Sequence, residues 1–282
     1  MKKNLFFALA AVLLAACSES ENPEPLTQNP EPTTVTLTFS PYEMSAIGTR
    51  AATSIASICT HLDVWITEGT NTTEVHQTSS DASFGTVSVS LNRLKTYTLV
   101  AVAHKANGAA TLTNNIIAFP DDKVTHSMIY KTTFSPGTTT SLSCLMTRIV
   151  GQFVFQIADE VPDDARHMRF NFGEVNNRWN ISTNVSTNAA ERISTFENFS
   201  RTAEGASFTL YIMPSNLTDT DEVDLTATAL YENGDEYESK TFTGVPIKAG
   251  YRTTYHGQFF TATTETAAFT VDDWTAFDVV EY

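Results

Sequence analysis

The chain has 282 residues and a formal charge of −15, from 17 Lys and Arg against 32 Asp and Glu. Its 41% hydrophobic content is enough for real cores and excludes a disordered chain, while its acidity argues against a nucleic-acid binder. The 44 Thr and 18 Phe favour strands, so the composition indicates an all-β protein. The length fits two domains of about 100 to 130 residues or one large one.

The N-terminus has the features of an export signal. Lys2 and Lys3 precede an apolar run at residues 5–16, which is too short to span a bilayer of about 30 Å. Residues 14–17 resemble a bacterial lipobox, which predicts cleavage before Cys17 and a diacylglyceryl group on its thiol. The alternative is an ordinary secretory signal with a chance cysteine. No later segment has 18 consecutive apolar residues, so we expect lipid alone to anchor the chain at the outer membrane.

The segment after Cys17 predicts a tether. The acidic run at residues 18–21 resembles the surface-export signal of Bacteroidetes lipoproteins, with a plain solvated linker as the alternative. Four prolines follow among polar residues at 22–34, which is typical of an extended linker. We therefore expect a signal peptide at 1–16 and a lipidated, Pro-rich tether at 17–34.

Two cysteines remain once Cys17 is acylated. Cys59 and Cys144 both lie in apolar surroundings, where a free thiol packs as a small hydrophobic group. In an oxidising compartment they could instead form the one intramolecular disulfide that two cysteines allow. The sequence leaves both alternatives open.

Alternating apolar and polar residues predict short strands separated by turns. In the first half we expect strands at residues 35–39, 62–67, 84–91, 97–104, 116–119 and 127–134, with a short helical turn at 54–60. In the second half we expect them at 141–145, 148–158, 168–172, 208–213, 223–231, 238–243, 253–260, and 270–271 with 279–280. Because no long helical pattern interrupts them, these strands predict two β-sandwiches, at residues 35–140 and 141–282.

Several blocks of sequence, in their order along the chain, carry a family resemblance. Apart from the lipobox and the first strand, they are residues 49–52, 58–64, 81–85, 97–104, 148–153 with 159–162, and 248–257. Together they resemble the Bacteroidales fimbrial lipoproteins, the FimA, FimB and Mfa group that builds type V pili, and in particular its anchor-type branch. The resemblance covers essentially the whole chain after residue 33.

The resemblance implies two transthyretin-like β-sandwich domains in tandem and a structural role in a pilus for cell adhesion. In stalk subunits of this family, cleavage after an arginine in the loop behind the first strand removes that strand, and a strand of the next subunit fills the groove. Arg50, followed by Ala51, stands at the matching place in a loop that a protease could enter. The alternative is a solvated arginine in an anchor that is never cut. The expected partners are other pilus subunits, joined by strand addition.

The sequence has no motif for catalysis, and we expect no enzyme, no cofactor and no metal. Its six histidines stand far apart, and CxxC, Walker and nucleophile-elbow motifs are all absent. Acidic clusters at residues 159–164, 219–222 and 272–273 lack the spacing of a calcium loop, and Asp-rich turns are common at strand ends.

Tryptophan placement bears on a rival hypothesis, a surface glycan-binding lipoprotein. Trp179 lies in a loop-like stretch at residues 176–180, so it is the candidate ligand contact. Trp65 alternates with Leu62 and Val64 and should point to the opposite face of its sheet. Trp274 lies in a C-terminal segment that would serve as a donor strand in a stalk subunit and would close its own domain in an anchor. The anchor role is our first hypothesis, ahead of a polymerising stalk or tip subunit and of glycan binding.

Overall fold

The structure, a computed structural model, describes residues 32–42, 54–197, 199, 205–261 and 269–274. These residues form seventeen strands and two short 3-10 turns, Ile55–Ser57 and Pro120–Asp122. The strands of the first half are β1 (Pro32–Pro41), β2 (His61–Glu68), β3 (Asn71–Thr78), β4 (Thr86–Asn92), β5 (Tyr97–His104), β6 (Thr111–Thr113), β7 (Ile116–Ala118), β8 (Ser127–Phe134) and β9 (Ser141–Arg148). Those of the second half are β10 (Gly151–Ile157), β11 (His167–Asn180), β12 (Val185–Glu197), β13 (Ala206–Ile212), β14 (Asp221–Leu230), β15 (Glu236–Ile247), β16 (Tyr251–Gly257) and β17 (Phe269–Asp273).

The all-β prediction is confirmed, and within the ranges given above no helix is long and apolar enough to cross a membrane. The first 3-10 turn begins where the sequence predicted a helical turn, with the Ser54 hydroxyl accepting a hydrogen bond from the N–H of Ala56. The regular secondary structure of the described residues therefore consists of β-strands and two short 3-10 turns.

Seven strands form the first sheet, in the order β3-β2-β5-β8-β9-β1-β4. β8 and β9 meet over only two residue pairs, and on either side of this junction the strands contribute to one shared apolar core. The strands β3-β2-β5-β8 therefore form one layer of a sandwich and β9-β1-β4 form the other. Alternate residues of β1, β2, β4 and β5 fill the space between the layers, as the period-two pattern requires.

Strand β9 belongs to this first sheet. The sequence placed residues 141–145 at the opening of the second strand set, because polarity rises around residues 136–140. In the structure that polar stretch only connects β8 to β9, and β9 pairs with β1 and β8 and buries Cys144 and Met146 in the first core. The chain passes to the next sheet at Ile149 and Val150, between β9 and β10.

A second sandwich contains the rest of the strands. One layer has the order β13-β10-β16-β17, and the other has the order β15-β14-β11-β7-β6, with β12 paired to β11. Phenylalanine dominates the core between them, with Phe153, Phe155 and Phe170 fully buried, which explains the high phenylalanine content of the chain. Edge-to-face ring contacts such as Phe155 against Phe170, with centroids 5.2 Å apart, add to the gain from burial.

A third apolar cluster joins the two sandwiches. Trp65, Val100 and Val102 face outward from the first sheet and contact residues of the second half, including Trp179 and Met213. The hairpin β6–β7 comes from the first half of the chain, but β7 pairs with β11 and so extends the second sandwich. The strands β2 and β5 are therefore covered on both faces. Trp65 points away from the first core and into the third cluster, as the sequence predicted for its face of the sheet.

Candidate functional site

Strand β1 is the element on which a strand-exchange function would depend. Val35 and Leu37 are fully buried and Phe39 is 3% exposed, so one face of the strand fills the first core. β1 pairs antiparallel with β4 along one edge and parallel with β9 along the other. The N–H of Tyr42 continues this pairing by donating to the carbonyl of Met146 at 2.7 Å. Removal of β1 would leave an apolar groove bordered by the unpaired edges of β4 and β9.

The predicted lipidation and cleavage residues lie outside the described residues. Cys17 precedes β1, and Arg50 and Ala51 fall between β1 and the 3-10 turn at Ile55–Ser57. Lipidation and cleavage therefore remain predictions. The structure does show that β1, the strand that follows Cys17 and precedes Arg50, lies between β4 and β9.

Cys59 and Cys144 are both buried free thiols in the first core, so the structure does not form the disulfide. Burial raises the pKa of each thiol to about 12, and the charges of Lys105 and Arg148 only partly oppose this at Cys59. A thiol with so high a pKa carries almost no thiolate at neutral pH and is a poor nucleophile. Of the two alternatives, the structure therefore has Cys59 and Cys144 as free thiols that pack as small hydrophobic groups in the first core.

Trp179 is not a ligand contact on an exposed loop. It is fully buried, because β11 continues through residues 176–180 and β7 pairs across it, with Trp179 opposite Ile117. Its indole ring packs in the third cluster, and its Nε1 has no hydrogen-bond partner among the residues that the structure describes. Trp65 and Trp274 are buried as well, so no tryptophan offers a platform for a sugar.

Trp274 holds the end of the described chain against both halves of the protein. Its ring lies under the Arg148 guanidinium at 4.6 Å and beside the His126 ring at 4.5 Å. Its N–H donates to the carbonyl of Gly250, and its carbonyl accepts a hydrogen bond from Arg148 Nη1 at 3.3 Å. Burial, with the charges of Arg148 and Lys105, holds the pKa of His126 well below 6.5, so its neutral Nε2 accepts a hydrogen bond from Arg148 Nε. These contacts fasten β17, which pairs antiparallel with β16.

We expect Arg148→Met to loosen β17. The substitution removes a cation–π contact and two hydrogen bonds and should cost about 1 to 2 kcal/mol of stability. Amide hydrogen exchange of Phe269–Asp273, followed by mass spectrometry, should become faster than in the wild type, while exchange in β1 stays unchanged. Arg93→Met, at an exposed turn, is the matched control. Unchanged exchange in β17 would contradict the role given to Arg148.

A polar network that the sequence did not predict lies in the first sheet. Asp63, only 1% exposed in β2, accepts hydrogen bonds from His76 Nδ1 at 2.7 Å and from His104 Nε2 at 2.9 Å. The N–H of Ala110 donates to the same carboxylate at 2.8 Å. Burial alone would raise the pKa of Asp63, but these three hydrogen bonds outweigh burial and lower it. Asp63 is therefore a buried carboxylate with its charge retained.

The network fastens the loop that leads to β6. Every second N–H of this loop donates to it: Ala106 to His104 Nδ1 at 3.2 Å, Gly108 to His61 Nε2 at 3.3 Å, and Ala110 to Asp63. Because His104 accepts at Nδ1, its proton lies on Nε2, where it donates to Asp63. The rings of His61 and His104 stack with centroids 5.3 Å apart. The network thereby positions the hairpin β6–β7, which reaches into the second sandwich.

The acidic residue Asp159 has a structural partner. Its carboxylate accepts hydrogen bonds from the N–H groups of Phe259, Phe260 and Thr261, each at 2.7 Å. Burial opposes ionisation, but these bonds and the Thr261 hydroxyl outweigh it and lower the pKa of Asp159. In the described part of the chain, no group of three His, Cys, Asp or Glu side chains could hold a metal ion.

The fold and these contacts define an all-β protein built of packed sheets, with a core strand near its start and a fastened strand near its end. No protein-family profile and no curated protein matches the chain. Solved structures do. A candidate cell adhesion protein from Bacteroides ovatus is similar at 14% identity, 88% coverage of this chain, 99% of that chain and a TM-score of 0.50.

Two further solved structures resemble the chain more weakly. A candidate cell adhesion protein from Bacteroides uniformis has 15% identity, coverage of 86% of this chain and 99% of that chain, and a TM-score of 0.48. The fimbrial anchor protein Mfa2 from Porphyromonas gingivalis has 9% identity, coverage of 86% and 98%, and a TM-score of 0.43. At identities this low, similarity speaks to the fold alone.

Proposed function

We propose that this protein is a structural subunit of a surface pilus, tethered to the outer membrane by lipid on Cys17 and joined to other subunits by strand addition. The observation that carries the proposal is the position of β1. A strand that fills a core on one face and pairs on both edges leaves a strand-shaped groove when it departs, and an incoming strand restores both interactions.

Within this role we favour an anchor over a polymerising stalk or tip subunit. The reason lies at the other end of the chain, where β17 pairs with β16 of its own sheet and Trp274 is held by Arg148 and His126. A segment that closes its own sandwich is not available as a donor to a neighbour unless these contacts break. The stalk or tip alternative requires that release, together with cleavage after Arg50.

The N-terminus of the mature protein separates these roles. We expect mass spectrometry of protein taken from the native cell surface, digested without trypsin, to find an acylated Cys17 at the start of the chain. That result would support an uncut anchor that retains β1, and strand exchange through the β1 groove would then be untenable for this subunit. A start at Ala51 would contradict the anchor role and support a subunit that releases β1 and polymerises. A start at an unmodified residue near 17 would exclude the lipid tether.

A further inference from the structure

A cleft opens in the second sandwich where two strands of one layer separate. β11 pairs with β14 only over His167–Asn171, although β14 begins at Asp221. In the described structure, the first five residues of β14 therefore pair only with β15 and have no strand on the side of β11. The gap between the two strands is a cavity of about 340 Å³, within the size range of ligand pockets.

A bulge in β11 causes the separation. The register of β11 against β12 shifts between Asn171 and Glu174, and Gly173 takes a positive φ of 63° there. Asn171 is also the last residue of β11 that pairs with β14. The N–H of Gly173 donates to Asn171 Oδ1 at 2.7 Å, which closes a local turn within the strand. An L side chain rarely adopts this φ, so the glycine allows β11 to bend away from β14. The cleft is thus built into the sequence of β11.

The lining of the cleft combines an apolar floor with an acidic rim. Ile212, Met213, Val223 and Ile247 supply apolar surface, and Met213 reaches β11 through a single backbone bridge to Asn176. Glu174 and Glu222 stand exposed at the rim, and no hydrogen bond or ion pair joins either side chain to another described residue. The third rim carboxylate, Asp221, already accepts two hydrogen bonds from Ser215.

We infer that this cleft binds an extended segment of a partner protein through a lysine or arginine side chain. A long cationic side chain fits the lining, because its methylene groups can lie on the apolar floor while its charged end reaches Glu174 and Glu222. The open edge of β14 at residues 221–225 can pair with the backbone of the same segment, as in strand addition. The inference does not depend on the pilus role, since β1 lies in a different sheet.

Charge argues for a partner as the occupant and against the two terminal segments of this chain. The residues after Trp274 include Asp278 and Glu281 and no Lys or Arg, and residues 18–31 are acidic without a basic residue. Both terminal segments therefore carry the wrong sign for an acidic rim. A second copy is disfavoured in the same way, because each chain has a formal charge of −15.

The test uses an acetylated, amidated pentapeptide of sequence Thr-Val-Lys-Val-Thr, with otherwise identical peptides in which norleucine or glutamate replaces the lysine. In calorimetric titrations at low salt, we expect the lysine peptide to bind about tenfold more tightly than the glutamate peptide. Added salt should reduce this difference. Amide NMR shifts should concentrate in Asp221–Leu225 and at the β11 bulge.

Variants separate binding in the cleft from general attraction to an acidic protein. Glu174→Gln with Glu222→Gln should reduce the lysine peptide to the affinity of the norleucine peptide, and Ala189→Trp should block the cleft without changing any charge. Glu232→Gln with Glu236→Gln removes the same charge at the exposed β14–β15 turn and should change little. Equal binding of the lysine and glutamate peptides, no binding at millimolar peptide, or an equal effect of the control pair would overturn the inference. None of these outcomes depends on whether the protein forms a pilus.

Discussion

Leu37→Ala should destabilise the first sandwich by about 2 to 5 kcal/mol, the usual cost of removing a large side chain from a packed core. Leu37 is fully buried at the middle of β1, between Val35 and Phe39, and the strand pairs on both edges. Its neighbours β4 and β9 and the facing strands β2 and β5 share one packed core, so we expect the cavity to close only in part. Urea denaturation followed by circular dichroism measures the loss directly.

Thr38→Ala is the matched control for that experiment. Thr38 is the next residue of the same strand, but its side chain is exposed, so its truncation should change stability by less than about 1 kcal/mol. If the two variants lost equal stability, β1 would contribute through its backbone pairing alone. If neither lost stability, β1 would not be part of the core, and the proposal of a strand-shaped groove would fail with it.

The β1 strand shows what the sequence could predict. Residues 35–39 alternate apolar and polar side chains because one face lies on a core, and that alternation identifies a strand without any knowledge of its partners. The same rule missed β12, because its residues are mostly polar and it buries few side chains. Patterning therefore predicts strands that bury alternate side chains in a core and misses a strand such as β12 that buries few of them.

The sites were harder to predict, because they depend on pairing between distant segments. Trp179 was placed in a loop, since its asparagine neighbours are typical of turns, yet β7 pairs there and buries it. The network around Asp63 requires the register that sets His61 opposite His104. His61 and Asp63 are two residues apart and so share one face of a strand, which was the available signal. Nothing in the sequence indicated that His104 would join them.

Asp63→Ala should cost about 2 to 4 kcal/mol of stability, because it removes the acceptor of several buried or partly buried hydrogen bonds at once. The substitution leaves the N–H groups of His104 and Ala110 buried without their acceptor, and an unsatisfied buried donor costs about 1 to 3 kcal/mol. His76 is half exposed and can turn to water, so it should contribute less. Hydrogen exchange at residues 105–118 should become faster, because the loop loses one of its attachments and the β6–β7 hairpin follows it.

The comparison variant is Asp81→Ala. Asp81 is exposed and accepts a hydrogen bond from the N–H of Thr78 at a turn, so its loss should cost no more than about 1 kcal/mol and should not affect residues 105–118. An Asp63→Ala protein as stable as the Asp81→Ala protein would mean that water replaces the carboxylate, and the network would then have no structural role.

The same network and the Trp274 contacts predict that acid destabilises the protein. Burial lowers the pKa of His61 below 6.5, and the pKa of His126 lies well below that value. Below pH 6.5 the unfolded chain takes up protons at these histidines before the folded chain does, so their contribution is complete above pH 6.5 and is lost as the pH falls. The lowered pKa of Asp63 acts in the same direction at lower pH: its contribution is present above 3.8 and is lost on further acidification.

Urea denaturation at a series of pH values below 7 should therefore show a continuous decline in the free energy of unfolding. His61→Gln should make this decline shallower, because the glutamine amide oxygen can still accept the N–H of Gly108 but takes up no proton. His256→Gln, at an exposed position, should leave the decline unchanged. A decline of equal slope in all three proteins would show that His61 does not couple folding to protonation.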